Sequence, residues 1–212
     1  PASAQFLGVL ENPAANSTGP QPIYISGWAA YTNPNNSGVD AIDVYGCPVS
    51  NCATPTYWGA ATLGFARSDV AAVYGPQYLN TGWKFIMSGL PPGVPHYVKV
   101  YVHSAITNEW SETVRTFTPA TVGMFGINSP TNLQSVTQPI SFLGWAIDGA
   151  VPTGTGVTAI DLWSYPNPGS GATPVYLGAA TYGLPRTGVA SLYGARFLNS
   201  GYSASKSGMV AG

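Results

Sequence analysis

Gly27-Trp28-Ala29 decides the organisation of this chain, because the same three residues return as Gly144-Trp145-Ala146. Further segments recur in the same order at a separation of about 118 residues, a period that indicates duplication of a whole domain. They are Ala41-Ile42-Asp43, Gly59-Ala60-Ala61-Thr62 and Asn80-Thr81-Gly82-Trp83 in the first copy, and Ala159-Ile160-Asp161, Gly178-Ala179-Ala180-Thr181 and Asn199-Ser200-Gly201-Tyr202 in the second. The sequence therefore predicts a tandem of one module, with domains at residues 1–120 and 121–212.

The composition argues against several classes of protein. Charged residues make up 7% of the chain, against about 25% in an average soluble domain, and the net charge is −1. So few charges give no field that would attract nucleic acid, and we expect no nucleic-acid partner. Since no apolar run approaches the 18 or so residues that cross a bilayer, we expect no membrane insertion. A nearly neutral surface favours self-association.

Two cysteines, Cys47 and Cys52, enclose four residues. Their spacing differs from the Cys-x2-Cys of redox proteins, and a second pair of metal ligands is missing. We therefore predict a disulfide that closes a loop, as expected in an oxidising compartment. The second copy has Tyr165 and Ala172 around the equivalent loop, so the module does not depend on this disulfide. Ala2-Ser3-Ala4 resembles the end of a signal peptide, and these features together predict an exported, extracellular or cell-surface protein.

The pattern of apolar residues predicts short β-strands separated by turns rich in Gly and Pro. His96–His103 is the clearest strand, because its three valines alternate with Tyr97, Lys99, Tyr101 and His103. Val39–Tyr45 alternates in the same way, and a helical turn is expected only between Arg67 and Asn80. Other strands are predicted at residues 6–10, 23–28, 56–63, 83–87, 112–117, 124–127, 140–145, 159–163, 175–181 and 202–205. This spacing is typical of an antiparallel β-sandwich.

The second module is expected to lack its last two strands, because counterparts of Tyr97–His103 and Glu112–Phe117 are missing from the second copy. A sandwich without these strands exposes core residues and an unpaired strand edge. Ile160, Leu162 and Val175 are the residues expected at that edge. Two explanations stay open: the natural chain is longer, or a strand from another chain completes the module.

A set of short motifs covers nearly the whole chain. The motifs are Gly27-Trp28-Ala29, Gly59-Ala60-Ala61-Thr62, Arg67-Ser68-Asp69-Val70, Tyr74-Gly75 and Asn80-Thr81-Gly82-Trp83, then Tyr182-Gly183, Arg186, Val189 and Asn199-Ser200-Gly201-Tyr202. This set resembles the bacterial immunoglobulin-like (Big-type) modules of secreted and cell-wall-associated proteins. The resemblance implies an all-β fold of two tandem immunoglobulin-like antiparallel β-sandwiches, used as a spacer, an adhesive unit or a carbohydrate-contacting unit, and it implies no catalytic residue. Thr187-Gly188 replaces Ser68-Asp69, so we interpret this corner as a turn motif rather than a ligand site.

The acidic residues and the two histidines form no recognisable catalytic motif, and we predict that the protein is not an enzyme. Asp43 and Asp161 occupy the same position in two modules, so they are not a carboxylate pair facing across a cleft. Asp40 and Asp43, with Asn35 and Asn36, could supply oxygen ligands to calcium, but turns formed by Asn and Asp explain this cluster more simply. We expect no metal and no cofactor.

Aromatic residues are the best candidates for a binding surface. Tyr45 and Trp163 occupy matching outward positions on one predicted strand, and Tyr57 and Tyr176 match on the next, where Trp58 is adjacent. Outward rings can stack on sugars or anchor a protein interface, and they can equally fill a contact between modules.

We therefore expect a non-catalytic extracellular structural or adhesive protein. As a repeating subunit of a surface layer or filament, it would contact other copies of itself or other surface proteins through β-strands or aromatic residues. The alternative is a carbohydrate-binding accessory module of a secreted hydrolase, with glycans as partners.

Overall fold

The structure, a computed structural model, describes residues 5–32, 35–120, 123–167 and 169–209. The chain divides into two compact units, Pro1–Thr121 and Val122–Gly212. Ala2-Ser3-Ala4, the predicted end of a signal peptide, lies outside the described residues. Within the described ranges, every helix is too short or too polar to cross a membrane.

The first unit is built mainly from β-strands, which confirms the all-β prediction. The strands are β1 (Phe6–Asn12), β2 (Ser17–Gly19), β3 (Ile23–Tyr31), β4 (Val39–Pro48), β5 (Thr56–Ala60), β6 (Thr62–Phe65), β7 (Gly82–Met87), β8 (His96–Ser104) and β9 (Trp110–Pro119). Helix α1 (Ser68–Tyr74) and a 3-10 turn (Pro76–Tyr78) connect β6 to β7. The helical turn predicted in this stretch is confirmed.

These strands form two sheets, a four-stranded sheet of order β1-β3-β7-β6 and a five-stranded sheet of order β2-β9-β8-β4-β5. Neighbouring strands are antiparallel except β2 and β9, which pair in parallel. Ile25 from the four-stranded sheet and Val44 and Val98 from the five-stranded sheet are all 0% exposed and belong to one hydrophobic cluster. The first unit is therefore two mainly antiparallel sheets packed around a shared core.

The alternation predicted for β4 and β8 is confirmed. On β4, Ile42 and Val44 are buried, while Asp43 and Tyr45 on the opposite face are only half-buried. On β8 the three valines are buried, and the side chains between them face the other way. Since side chains alternate across a strand, these residues form the outer face of the five-stranded sheet.

One predicted strand is wrong in its extent. Residues 56–63 form two strands, because β5 ends at Ala60 and pairs with β4, whereas β6 begins at Thr62 and pairs with β7. Gly59 has φ +147°, a backbone conformation that glycine adopts readily and other residues rarely do. The amide of Ala61 donates to the carbonyl oxygen of Ile42 at 2.8 Å. The chain thus crosses from one sheet to the other at Ala61. Strand β2 was also missed, since it occupies three residues of a predicted loop.

The repeated Gly-Trp-Ala motif lies where β3 is covered on both faces. A side chain at Gly27 would collide with the carbonyl oxygen of Val9 on β1, so only glycine fits there. Trp28 points to the opposite side from Ile25 and packs with Val70 of α1 and Tyr78 of the 3-10 turn. The motif therefore fixes the helix against the outer side of the four-stranded sheet.

The second unit repeats part of this plan. Its elements are β10 (Met124–Ser129), β11 (Ile140–Ile147), β12 (Asp161–Ser164), β13 (Val175–Ala179), β14 (Thr181–Leu184), α2 (Thr187–Tyr193), a 3-10 turn (Ala195–Phe197) and β15 (Gly201–Lys206). The sheet order β10-β11-β15-β14 matches β1-β3-β7-β6 of the first unit, and β12 pairs only with β13 among the described residues. The predicted strand at 175–181 again divides into two, between Ala179 and Thr181.

The second unit buries much less of its inner face. Leu10 is 3% exposed, whereas Ile127, at the matching position, is 59% exposed. Ile42 is 1% exposed, and its counterpart Ile160 is half-buried. In the first unit β8 and β9 cover this face, and the described residues of the second unit form no counterpart of these two strands.

Candidate binding surfaces

The outer face of the five-stranded sheet carries a cluster of aromatic rings, which we call the aromatic face. Its rings are Tyr45 on β4, Tyr57 on β5, Tyr101 on β8 and Trp110 on β9. The ring centre of Tyr45 lies 5.0 Å from that of Tyr57 and 5.4 Å from that of Tyr101, the latter edge-on. Strand register produces this grouping, since Tyr45 is paired with Tyr57 and Asp43 is paired with Tyr101.

Carboxylates hold the tyrosine hydroxyls of this face. The Tyr57 hydroxyl donates to Oδ1 of Asp43 at 3.3 Å, and the Tyr101 hydroxyl donates to Oε1 of Glu112 at 2.9 Å. Reduced contact with water, and then the Glu112 carboxylate, raises the pKa of Tyr101. The Nζ of Lys99 also donates to Oε1 of Glu112 at 2.9 Å, and these hydrogen bonds lower the pKa of Glu112. At neutral pH the phenol of Tyr101 is therefore neutral and the carboxylate of Glu112 is ionised.

Between these rings lies an open groove of about 530 Å³. It is lined by Asp43, Tyr45, Pro55, Tyr101 and Trp110. Trp110 is 49% exposed, whereas Tyr45 and Tyr101, the other rings that line the groove, are half-buried. Aromatic walls with a few fixed polar groups are typical of small ligand sites.

The ring of Trp110 packs against the imidazole of His103. The centres of the two rings are 4.7 Å apart, and Nδ1 of His103 lies 2.6 Å from Oδ1 of Asp40. The carboxylate thus fixes the imidazole, and the imidazole supports the indole.

Trp58, a predicted contact residue, does not belong to the aromatic face. Its ring is half-buried, packs against the core cluster and occupies the space beside Gly46, where a side chain would collide with it. Successive residues of a strand point to opposite faces, so Tyr57 points outward and Trp58 points inward.

The second unit carries a smaller pair of outward rings. Trp163 on β12 and Tyr176 on β13 are 52% and 51% exposed, with ring centres 4.9 Å apart. The Tyr176 hydroxyl donates to Oδ1 of Asp161 at 3.0 Å, as Tyr57 does to Asp43. The hydrogen bond to Asp161 raises the pKa of Tyr176. The predicted correspondence between the two copies therefore extends to the hydrogen bond.

Sequence reasoning missed Tyr101, Glu112 and Trp110 as members of this surface. The alternation of β8 already placed Tyr101 on the outer face. Its position beside Asp43 depends on the register between β4 and β8, which are separated by more than 40 residues in the chain and carry no local signal for their pairing.

The acids suggested as calcium ligands have other partners. Asp40 contacts His103, Asp43 accepts the Tyr57 hydroxyl, and Oδ1 of Asn36 accepts the Gly38 amide at 2.8 Å, which is an Asn turn. Throughout the described ranges, no group of three or more His, Cys, Asp or Glu side chains is arranged to hold a metal ion.

The remaining predicted site residues lie apart from these rings. Cys47 and Cys52 form the predicted disulfide, which is thereby confirmed, between the end of β4 and the following loop. Ile160 and Leu162 are half-buried on the open inner face of the second unit, and Val175, at the start of β13, is 44% exposed.

Comparison with known proteins gives no relative that would assign these surfaces. No family model matches the chain, and no curated protein matches it either.

Proposed function

We propose that the protein is a non-catalytic extracellular structural or adhesive protein that makes contact through the aromatic face. In this proposal its two units are immunoglobulin-like modules of the kind that build bacterial surface proteins. The disulfide, the strand-rich fold and the nearly neutral composition support an extracellular role. The observation that carries the proposal is the groove of rings and carboxylates on the five-stranded sheet.

The rings of this face are ordered before any partner arrives. Tyr57 and Tyr101 are each held by a carboxylate, and Trp110 is supported by His103. Side chains fixed in this way lose little conformational entropy on binding. Tyrosine and tryptophan are also the residues enriched in the centres of protein interfaces. The aromatic face therefore combines exposed ring surface with an arrangement suited to a contact.

A second contact in this proposal is the free edge of β12, which would pair with β12 of another copy. Among the described residues, β12 has β13 on one side only, and it carries no Lys or Pro to prevent edge pairing. Antiparallel pairing across a twofold axis would join two β12–β13 pairs into one sheet and cover Leu162. Because twofold pairing closes as a dimer, a repeating assembly would also use the aromatic face as a contact.

The alternative function, carbohydrate binding as an accessory module of a secreted hydrolase, is favoured by the composition of the groove. An exposed indole beside Tyr45 offers a flat surface for a sugar ring, and Asp43 offers acceptors for its hydroxyl groups. The two functions use the same face and differ in the partner.

Affinity electrophoresis in gels containing insoluble or soluble polysaccharides separates these functions. A sugar-binding protein is retarded, and Tyr45→Ala, Trp110→Ala or Trp163→Ala reduces the retardation. Tyr165→Ala is the matched control, because Tyr165 is 63% exposed but is not among the residues that line the groove. Absence of retardation on every glycan excludes the carbohydrate function. Binding to coated protein surfaces that survives Tyr45→Ala and Trp110→Ala together contradicts the proposed adhesive role of the face.

Sedimentation velocity at rising protein concentration tests the β12 contact. We expect the wild-type protein to form dimers, and Leu162→Lys to stay monomeric because it places a charge on the inner side of the edge strand. Leu192→Lys is the control, since Leu192 is exposed on α2, away from β12. Equal association of all three proteins contradicts pairing through β12.

A further inference from the structure

The duplicated arginine of the helix motif has two different surroundings. In the first unit, Nη1 and Nη2 of Arg67 donate to both oxygens of Glu11 at 2.9 and 2.8 Å. Its Nε and Nη2 also donate to both oxygens of Asp69 at 2.9 and 2.6 Å. The guanidinium is thus clamped by two carboxylates. Their hydrogen bonds raise the pKa of Arg67, and the bond to Arg67 lowers the pKa of Asp69 to about 2.

Arg186, the counterpart in the second unit, has neither carboxylate. Asn128 occupies the position of Glu11, and Gly188 occupies that of Asp69. Arg186 donates from Nε and Nη2 to the Gly144 carbonyl oxygen at 3.1 and 2.9 Å, and from Nη2 to Oδ1 of Asn128 at 2.8 Å. These acceptors are neutral, and within the described ranges no carboxylate forms an ion pair with Arg186.

A pocket of about 360 Å³ lies beside Arg186. Asn128, Trp145, Arg186, Val189 and Tyr193 contribute to its lining. The ring centres of Trp145 and Tyr193 are 5.8 Å apart, and a Cβ atom added at Gly188 would meet no other atom within 4 Å. The pocket therefore has a half-buried cation at one side, aromatic rings at another, and open space where the first unit places Asp69.

We propose that this pocket binds the carboxylate of an acidic sugar beside the guanidinium of Arg186. Since Nε and Nη2 of Arg186 already donate to Gly144 and Asn128, Nη1 is the donor that a ligand carboxylate would meet, in a charge-assisted hydrogen bond. Trp145 and Tyr193 provide the ring surface against which a pyranose packs. The volume suits a single sugar residue. All of these residues belong to the second unit, so the site is distinct from the aromatic face.

Titration of the whole protein with glucuronate, followed by the indole N–H signals in NMR spectra, tests the proposal directly. Glucuronate is expected to produce saturable shifts at the Trp145 signal, and glucose, which lacks the carboxylate, is expected to produce none. Equal shifts with glucose, or no saturable shift with glucuronate, overturn the proposal. Equal affinity for glutarate, an acid without a sugar ring, overturns the assignment to a sugar.

Substitutions at Gly188 make the test specific to the pocket. Gly188→Asp restores the internal carboxylate of the first unit and should weaken glucuronate binding by about tenfold or more, since it competes for Arg186. Gly188→Asn has nearly the same size without the charge and should retain binding. An equal loss in both variants, or no loss in Gly188→Asp, overturns the proposal.

The first unit offers the reverse experiment. Glu11→Asn combined with Asp69→Gly gives Arg67 the surroundings of Arg186, and glucuronate should then shift a second indole signal, that of Trp28. Tyr45→Ala, which alters the aromatic face, should leave glucuronate binding unchanged. Adhesion through the aromatic face and carboxylate binding at Arg186 can therefore fail independently of each other.

Discussion

The hydroxyl of Tyr101 donates to the same carboxylate oxygen of Glu112 that accepts Nζ of Lys99, each at 2.9 Å. One acid therefore joins two neighbouring outward residues of β8 to β9. Because Tyr101 also lies edge-on to Tyr45, the acid fixes one of the rings that line the groove.

Removal of this hydroxyl should cost stability without opening the groove. We expect Tyr101→Phe to lower the free energy of unfolding by about 0.5–1.5 kcal/mol, the usual net value of one hydrogen bond, because Glu112 keeps Lys99 as its partner. Urea unfolding at pH 7 measures this loss. Tyr97→Phe is the matched control on the same face of β8, and a loss as large as that of Tyr101→Phe would contradict the role assigned to Glu112.

The ion pair of Asp69 with Arg67 predicts an acid-dependent contribution to stability. The pKa of Asp69 falls to about 2 in the folded protein, and an unfolded Asp titrates near 4. A lowered folded pKa favours the folded state above pH 4, and that advantage is lost as the pH falls through 2. Asp69→Asn should therefore lower the melting temperature at pH 7 and have a much smaller effect at pH 2, where folded Asp69 is partly protonated. Thermal unfolding followed by circular dichroism gives both values, and an equal difference at the two pH values would contradict the assignment.

Matching core residues of the two copies should differ in their contribution to stability. Ile42→Ala removes a side chain that is 1% exposed and should cost the first unit about 2–5 kcal/mol. Ile160→Ala removes a half-buried side chain and should cost less than about 2 kcal/mol. Hydrogen exchange of the whole protein, read out by mass spectrometry on peptides from each unit, reports the loss of unfolding free energy in the two units separately. Equal losses would show that the second unit buries this face in solution.

The disulfide should restrain one loop rather than the whole first unit. Cys47 is buried at the end of β4, whereas residues 49–51 of the loop are exposed. Reduction should therefore raise amide exchange in this loop and leave β4 and β8 protected. Mass spectrometry after alkylation of the native, unreduced protein is the control. Modification of both thiols there would show that the bond is absent.

Local patterns were sufficient for much of the fold. The alternating valines of β8 and the glycine that ends α1 are signals carried by neighbouring residues, and both the strand and the helical turn were predicted from them. The crossing at Ala61 was not predicted. Residues 56–63 read as one continuous strand, and only their pairing with β4 and with β7 shows that they belong to two sheets.

The candidate binding surfaces were harder to predict, because they depend on the pairing of strands that are distant in the sequence. Tyr45 and Tyr57 could be predicted as outward residues from alternation and from the repeat. Trp110 joins them only because β9 lies beside β8. Likewise, the ion pair of Glu11 with Arg67 joins residues that are 56 positions apart, and no local pattern predicts it. The sequence therefore could not show that Arg67 has carboxylate partners and that Arg186 has none.

The partnered carboxylates of the aromatic face also determine how fast a partner can arrive. Glu112 forms an ion pair with Lys99, and the net charge of the chain is −1, so little field extends into solution. Without long-range attraction, association proceeds at the unassisted rate of about 10⁵–10⁶ M⁻¹ s⁻¹. The rate of such encounters should change little with ionic strength.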